Sequence, residues 1–196
     1  MDYYEPCPDN PQDSWESMWV GIGGYYYGEN NLVQTGTSVH RYWNGSKWVN
    51  DHEAWVENLA YSNPYPQNLF TISCNDHMYV KVWNDNCMFV EDLNNGVNSG
   101  NQCYGPAADS RSAEAIAERP FVGGSYSLLA DFHTETFYGV GVTYNGYYDP
   151  MSGVPHDYSN MEGNDNKHDL TSTGPIVNDP GDTPYDQFAQ TWLALQ

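Results

Sequence analysis

The chain is expected to fold as an all-β protein, an antiparallel sandwich of two sheets. Three observations predict this. Aromatic residues make up 15% of the 196 positions, with 17 Tyr and 7 Trp, and such side chains suit a pleated, half-buried surface. Short alternating segments, about a dozen in all, are separated by turns rich in Gly, Asn and Pro. Long runs of Leu, Ala, Glu and Lys at helical period are missing. A chain of this length can bury one proper core. The expected division is a Pro-rich arm over residues 1–17, carrying Pro6, Pro8 and Pro11, and a single sandwich domain over residues 18–196.

Taken in order, Trp19 to Gly24 reads as a short strand whose glycines allow close approach to its backbone. Tyr25 to Asn31 reads as a turn. Leu32 to Val39 is the next strand, with Leu32, Gln34 and Gly36 on one face. Tyr42 to Trp48 carries a hairpin signature with Asn44-Gly45 at the turn; Asn44-Gly45-Ser46 is also a glycosylation sequon. Glu53 to Leu59 alternates, and puts Glu53, Trp55 and Glu57 on one face. Residues 62–67 are a Pro-broken loop. Asn68 to Ser73, Met78 to Trp83 and Cys87 to Leu93 read as three strands, and residues 94–111 as a long polar loop. Leu128 to Phe137 and Val140 to Tyr144 follow as strands. Residues 145–184 are rich in Gly, Asn, Asp and Pro, and Phe188 to Leu195 closes the chain as a strand.

The central stretch is Ser112 to Glu118. As a strand it places Glu114, Ile116 and Glu118 on one face and three alanines on the other; as a helix it still leaves Glu114 and Glu118 on one face. A carboxyl group held against a packed layer has a raised pKa, which suits a general acid or base. The bland alternative is a solvated face with two ordinary acids.

Acids number 26 and bases 6, for a formal net charge of −20 at pH 7. A chain with no basic patch is a poor partner for nucleic acid. The same excess suits a protein that works in acid, where protonation relieves self-repulsion, and equally a soluble secreted one. Cys7, Cys74, Cys87 and Cys103 have no zinc-type spacing and suggest one or two disulfides in an exported protein. Cys74–Cys87 and Cys7–Cys103 are geometrically possible pairings. No apolar run is long enough to cross a membrane, and no signal segment precedes Met-Asp-Tyr-Tyr-Glu, so export calls for an upstream segment. The chain has no Gly-x-Ser-x-Gly elbow, no His-Glu-x-x-His and no Asp-Thr-Gly. No cofactor and no metal centre are expected, although the acidic stretches Asp165 to Asp169 and Asp179 to Asp186 are weak calcium candidates. The six histidines read as surface residues.

Five blocks in order carry a resemblance: Trp19-Val20-Gly21-Ile22, Leu32-Val33-Gln34-Thr35-Gly36, Glu53-Ala54-Trp55-Val56-Glu57, Ala113-Glu114-Ala115-Ile116-Ala117-Glu118 and Leu129-Ala130-Asp131-Phe132. Over residues 18–137 the chain resembles the glutamic peptidases, or eqolisins. The resemblance implies a concanavalin A-like lectin/glucanase (jelly-roll-like) sandwich of two curved sheets and an acid-active endopeptidase. It implies Gln34 and Glu118 as the catalytic pair, with Glu118 activating water and Gln34 stabilising the oxyanion. Trp19, Glu53, Trp55, Glu57 and Glu114 would line the substrate cleft. The expected partner is a polypeptide, with no nucleic acid and no membrane, and the expected state is a secreted monomer. Two departures stand out: Gly23 replaces the family's usual Asp after Trp-Val-Gly-Ile, and the family's N-terminal strands have no counterpart before Trp19. Two other functions share the fold. A lectin-like carbohydrate-binding module would use Trp19 and Trp55 as stacking platforms, and a glycoside hydrolase would pair two carboxylates such as Glu57 and Glu118.

Overall fold

The computed structural model describes residues 1–26, 31–61, 66–144, 147–157, 160–161, 169–178 and 186–194. Its strands are β1 (Asp2–Tyr4), β2 (Ser14–Ile22), β3 (Val33–Trp43), β4 (Trp48–Asn58), β5 (Gln67–Thr71), β6 (His77–Trp83), β7 (Cys87–Asp92), β8 (Gln102–Cys103), β9 (Ala113–Glu118), β10 (Phe121–Val122), β11 (Ser125–Tyr126), β12 (Thr134–Tyr144), β13 (Tyr147–Pro150), β14 (Thr171–Thr173), β15 (Val177–Asn178) and β16 (Asp186–Trp192). One short 3₁₀ turn, Met151–Gly153, follows β13. Two sheets form the sandwich. One is five-stranded, in the order β5-β4-β3-β2-β9; the other runs β14-β16-β12-β1-β6-β7-β8, with β13 on β12 and β15 on β16. A small hairpin, β10-β11, stands apart.

Alternation decides which residues face the core. From the five-stranded sheet come Met18, Val33, Val39, Ala54, Val56 and Ala117, and from the larger sheet Tyr3, Met78, Val80, Val90, Phe137 and Phe188, all buried. Burying such side chains from both sheets supplies the main driving force for the sandwich. Leu129, Phe132 and Leu170 pack into the same core from the connecting segments. The β3–β4 hairpin forms where Asn44-Gly45 predicts it: Gly45 has φ +94°, and the Asn44 side-chain oxygen accepts from the amides of Ser46 and Lys47. The central acidic stretch is a strand, β9, paired antiparallel to β2.

The structure departs from the sequence reading at His52, read as a surface residue but buried against Glu5, at the loop read over 94–111, which contains β8, and in four further places. Residues 2–4, read as part of a loop, form β1, and β1 sits inside the larger sheet between β12 and β6. Tyr3 anchors it, fully buried, with its hydroxyl on the Met18 carbonyl and the Thr37 hydroxyl. Residues 14–17, also read as arm, begin β2. Residues 128–133 make only an isolated bridge, Trp15 to Leu129; His133 takes φ +59° and delays the strand to Thr134. The disulfides are Cys7–Cys74 and Cys87–Cys103, in place of the pairings considered from the sequence. The arm runs beside the turn after β5, with hydrogen bonds between Glu5 and the backbone of Asn75 and Asp76, which brings Cys7 to Cys74. Cys87 and Cys103 stand directly opposite on β7 and β8. The calcium-candidate stretches lie almost wholly outside the described residues. Among the described residues, no three His, Cys, Asp or Glu side chains are grouped to hold a metal ion, and no helix is long and apolar enough to cross a membrane.

Candidate active site

The register of the five-stranded sheet brings every candidate residue onto one face, the face turned away from the core. Three cross-strand rows run over β4, β3, β2 and β9. The first is Glu57–Gln34–Gly21–Glu114, the second Trp55–Gly36–Trp19–Ile116, the third Glu53–Ser38–Ser17–Glu118. Gln34 and Glu118 thus lie diagonally across β2, on either side of Trp19.

The middle row depends on Gly36. A Cβ there would lie 2.0 Å from the Met18 carbonyl oxygen and 2.7 Å from Trp19 Cα. Only a residue without a side chain lets β3 approach β2 this closely. Gly21 has a similar role in the first row: a Cβ there would meet Trp19 Cζ3 at 2.8 Å, Leu32 Cδ1 at 2.9 Å and Glu114 Oε2 at 3.3 Å. The Glu114 carboxyl therefore leans over the gap between its own strand and Gln34.

Two hydrogen bonds organise the polar groups. Trp19 Nε1 donates to Glu118 Oε2 at 2.8 Å. Gln34 Nε2 donates to Glu57 Oε2 at 2.5 Å, both side chains being buried. Burial pushes the Glu118 carboxyl above its ordinary value, and the Trp19 hydrogen bond draws it partly back. Burial also raises Glu57; the Gln34 hydrogen bond lowers it, and the Glu118 charge raises it again. The Glu118 charge is thus felt at Glu57, two rows away on the same face. Trp55 is buried with its Nε1 unpartnered among the described residues. Glu53 stands at the rim and accepts a hydrogen bond from Asn68 Nδ2 of β5.

Two further residues belong to this face, and a third, Tyr104, packs at its edge against the inner apolar cluster around Val33 and Val56; none was singled out from the sequence. Ser17 and Ser38 share a 2.6 Å hydrogen bond beside Glu118, and the odd-numbered positions of β2 and the even-numbered positions of β3 would have pointed to both. Tyr104 has its hydroxyl pKa raised by burial and then by the Glu57 charge, and it packs edge-on against Tyr61. It lies in a segment read as polar loop, where no periodicity marks it.

Chemically, the face offers a carboxyl group fixed by an indole, an amide fixed by a second carboxyl, and apolar walls from Trp19, Trp55 and Ile116. Such a pair can activate a water and polarise a carbonyl without a covalent nucleophile.

Comparison with known proteins gives the family and the fold. The model of the peptidase A4 family matches residues 4–179. No match was found among curated proteins. Among solved structures, the chain is similar to aspergilloglutamic peptidase from Aspergillus niger, at 26% identity over 92% of this chain and 100% of that one, with a TM-score of 0.73. It shares its fold with scytalido-glutamic peptidase bound to a transition state analog inhibitor, at 17% identity, 98% and 90% coverage and a TM-score of 0.72. It also shares its fold with SCP-B, an eqolisin in complex with the tripeptide Ala-Ile-His, at 17% identity, 98% and 89% coverage and a TM-score of 0.65.

Proposed function

The chain belongs to the peptidase A4 family and is a glutamic-type peptidase, and from that premise we propose that it is an acid-active endopeptidase in which Glu118 is the general base and Gln34 the oxyanion donor. One observation supports this assignment above the others: each of the two side chains is gripped by a neighbour, Glu118 by Trp19 and Gln34 by Glu57. Glu118 thus holds Oε2 on Trp19 and keeps its other oxygen for water, while Gln34 spends one Nε2 hydrogen on Glu57 and keeps the second for the substrate.

In this reading the ionised Glu118 takes a proton from water as the water oxygen bonds to the scissile carbonyl carbon. The carbonyl becomes an oxyanion, which the second N–H of Gln34 stabilises. Glu118 then passes its proton to the departing amide nitrogen as the C–N bond breaks, leaving a carboxylic acid and an amine and restoring the enzyme. No metal or cofactor enters these steps. Trp19, Trp55 and Ile116 would pack against the substrate, with Glu53 and Glu114 at the ends of the cleft. Glu57 serves as the positioning residue for Gln34. The hydrogen bond from Gln34 gives Glu57 that task, which counts against a glycosidase pairing of Glu57 with Glu118. We place the enzyme outside the cell as a monomer, since two disulfides suit an oxidising compartment.

The pH dependence follows from the direction of the shifts. Glu118 must be ionised to act, so activity falls as pH drops through its raised pKa. Glu57 keeps its proton further into mild acid than an exposed glutamate. Its ionisation at higher pH adds a second charge beside Glu118 and weakens binding of the oxyanion.

The test is peptide hydrolysis with a fold probe run in parallel. Glu118→Gln should lose roughly 10²–10⁴ in kcat, the usual contribution of a general base, and Gln34→Ala roughly 10²–10³, as for other oxyanion donors. Glu114→Gln should lose far less. An inactive Glu114→Gln beside an active Glu118→Gln would reverse the assignment on β9. Sugar binding by a chain that cleaves no peptide would favour the lectin-like reading.

A further inference from the structure

A second group of acids lies on the opposite side of the five-stranded sheet, inside the sandwich, where the peptidase reaction does not reach. The inner face carries a row Glu16–Val39–His52 across β2, β3 and β4. Glu16 is fully buried, and both its carboxyl oxygens lack a hydrogen-bond partner among the described residues. Glu5, one residue beyond β1, is also buried. Its Oε1 lies 2.8 Å from His52 Nδ1, while its Oε2 has no partner among the described residues. From the larger sheet, β12 presents Glu135, half-buried, with the same parity as the buried Phe137.

A buried ionised carboxylate without partners is very costly, and such a group keeps its proton instead. We propose that Glu16 and Glu135, packed against the Glu5–His52 pair, form a proton-dependent latch on the N-terminal strand, closed while both acids hold their protons and released when they lose them.

The surroundings support a latch rather than a rigid feature. Burial, then the charges of Glu5 and Glu135, hold the Glu16 carboxyl well above the ordinary range. Burial, then Glu5, pushes Glu135 up to about 8. Each of these acids binds its proton more tightly folded than unfolded. Their contribution to stability is therefore complete in acid and is lost as pH rises toward 8. The other polar groups nearby supply no counter-charge. Tyr3 of β1 bonds Thr37 and the Met18 carbonyl. Gln190 of β16 stands opposite Glu135 and bonds Thr171 and Thr173. Arg41, one row beyond Val39, is engaged by Asn50 and by the carbonyls of Asp9 and Asn10. Outside the sandwich, Asp2 of β1 pairs with His77. New negative charge on Glu16 and Glu135 would thus act mainly on Glu5, which the chain can move outward. Glu5 directly follows the three-residue β1, and the Cys7–Cys74 bond keeps the released arm tethered beside its seat.

Amide hydrogen exchange read by mass spectrometry, with thermal midpoints from pH 4 to 8, tests the latch. Each unit by which folding raises a carboxyl pKa changes the opening constant tenfold. In the unmodified protein β1 and the facing part of β6 should therefore exchange at least tenfold faster at pH 7 than at pH 4, after correction for intrinsic chemistry, while β3 and β4 stay protected. Glu16→Gln, a neutral isostere, should remove most of that acceleration, and Glu135→Gln part of it. Glu91→Gln, which deletes one charge from the outer face, should remove little. Equal effects from Glu16→Gln and Glu91→Gln would trace the pH dependence to net charge and overturn the latch, as would no effect from Glu16→Gln. If Glu16→Gln fails to fold, Glu135→Gln and the infrared band of a protonated carboxylic acid decide. Absence of that band in the unmodified protein at pH 6 would equally refute the idea.

Discussion

Trp19 and Glu57 do their work by what they hold. The indole hydrogen bond stabilises the ionised form of Glu118. In Trp19→Phe the carboxyl pKa should rise further, so the acid limb of the pH–rate profile should move to higher pH while Glu118 remains competent. A limb that does not move would mean that Trp19 only packs. Glu57→Gln acts elsewhere: it removes the carboxylate that selects the Gln34 amide orientation. A misplaced group of this kind costs on the order of 10²-fold in rate, and the loss should fall on kcat more than on KM and leave the acid limb in place. Trp19, Gln34 and Glu118 were legible in the sequence because they sit in ordered motif blocks. The bond between Gln34 and Glu57 was not, because alternation fixes which face a side chain takes and leaves open which strand lies beside it. Ser17 and Ser38 share the parity of that face and could have been read from it, whereas Tyr104 lies in a loop with no periodicity to mark it.

Strands obey the same division. Alternating segments were legible where the pattern is regular: β6, β7 and β9 fall within a residue or two of it, β4 begins five residues before the alternation read from Glu53, and the Asn44-Gly45 turn joins the strands it predicts. Elements set by tertiary contact were not. β1 has three residues and owes its place to Tyr3 buried against the facing sheet and to backbone pairing on both edges. The run 128–133 reads as strand, yet Leu129, Ala130 and Phe132 are buried in a connecting segment that breaks at His133. Gly36 shows how little freedom a well-read strand can have. An alanine Cβ would overlap the Met18 carbonyl at 2.0 Å, and a backbone atom cannot swing away as a side chain can. Gly36→Ala should therefore destabilise the protein by at least the 1–3 kcal/mol typical of overpacking, roughly estimated, and should separate Trp19 from Gln34. Denaturant unfolding measures the first effect and kcat the second; wild-type values for both would mean that β2 and β3 lie further apart than described.

At the scale of the whole molecule two kinds of acid respond to pH, and salt separates them. The chain carries a formal charge of −20 at pH 7, and repulsion among its solvent-facing carboxylates opposes folding. In acid these groups are protonated and the repulsion fades. Repulsion between exposed charges is also screened by ions, with a Debye length of about 10 Å at 0.1 M salt. Raising sodium chloride from roughly 0.05 to 0.5 M should therefore raise the thermal midpoint at pH 7 and change it little at pH 4. Glu16, buried, and Glu135, half-buried, behave differently, because charges in such places are screened far less than exposed ones. Their raised pKa values cost stability as pH climbs, whatever the ionic strength. Salt should then recover only part of the stability lost between pH 4 and pH 7, and the remainder should vanish in Glu16→Gln at any salt concentration. Full recovery by salt in the unmodified protein would assign the whole pH dependence to the surface. An equal salt effect at both pH values would show that surface repulsion plays no part in it.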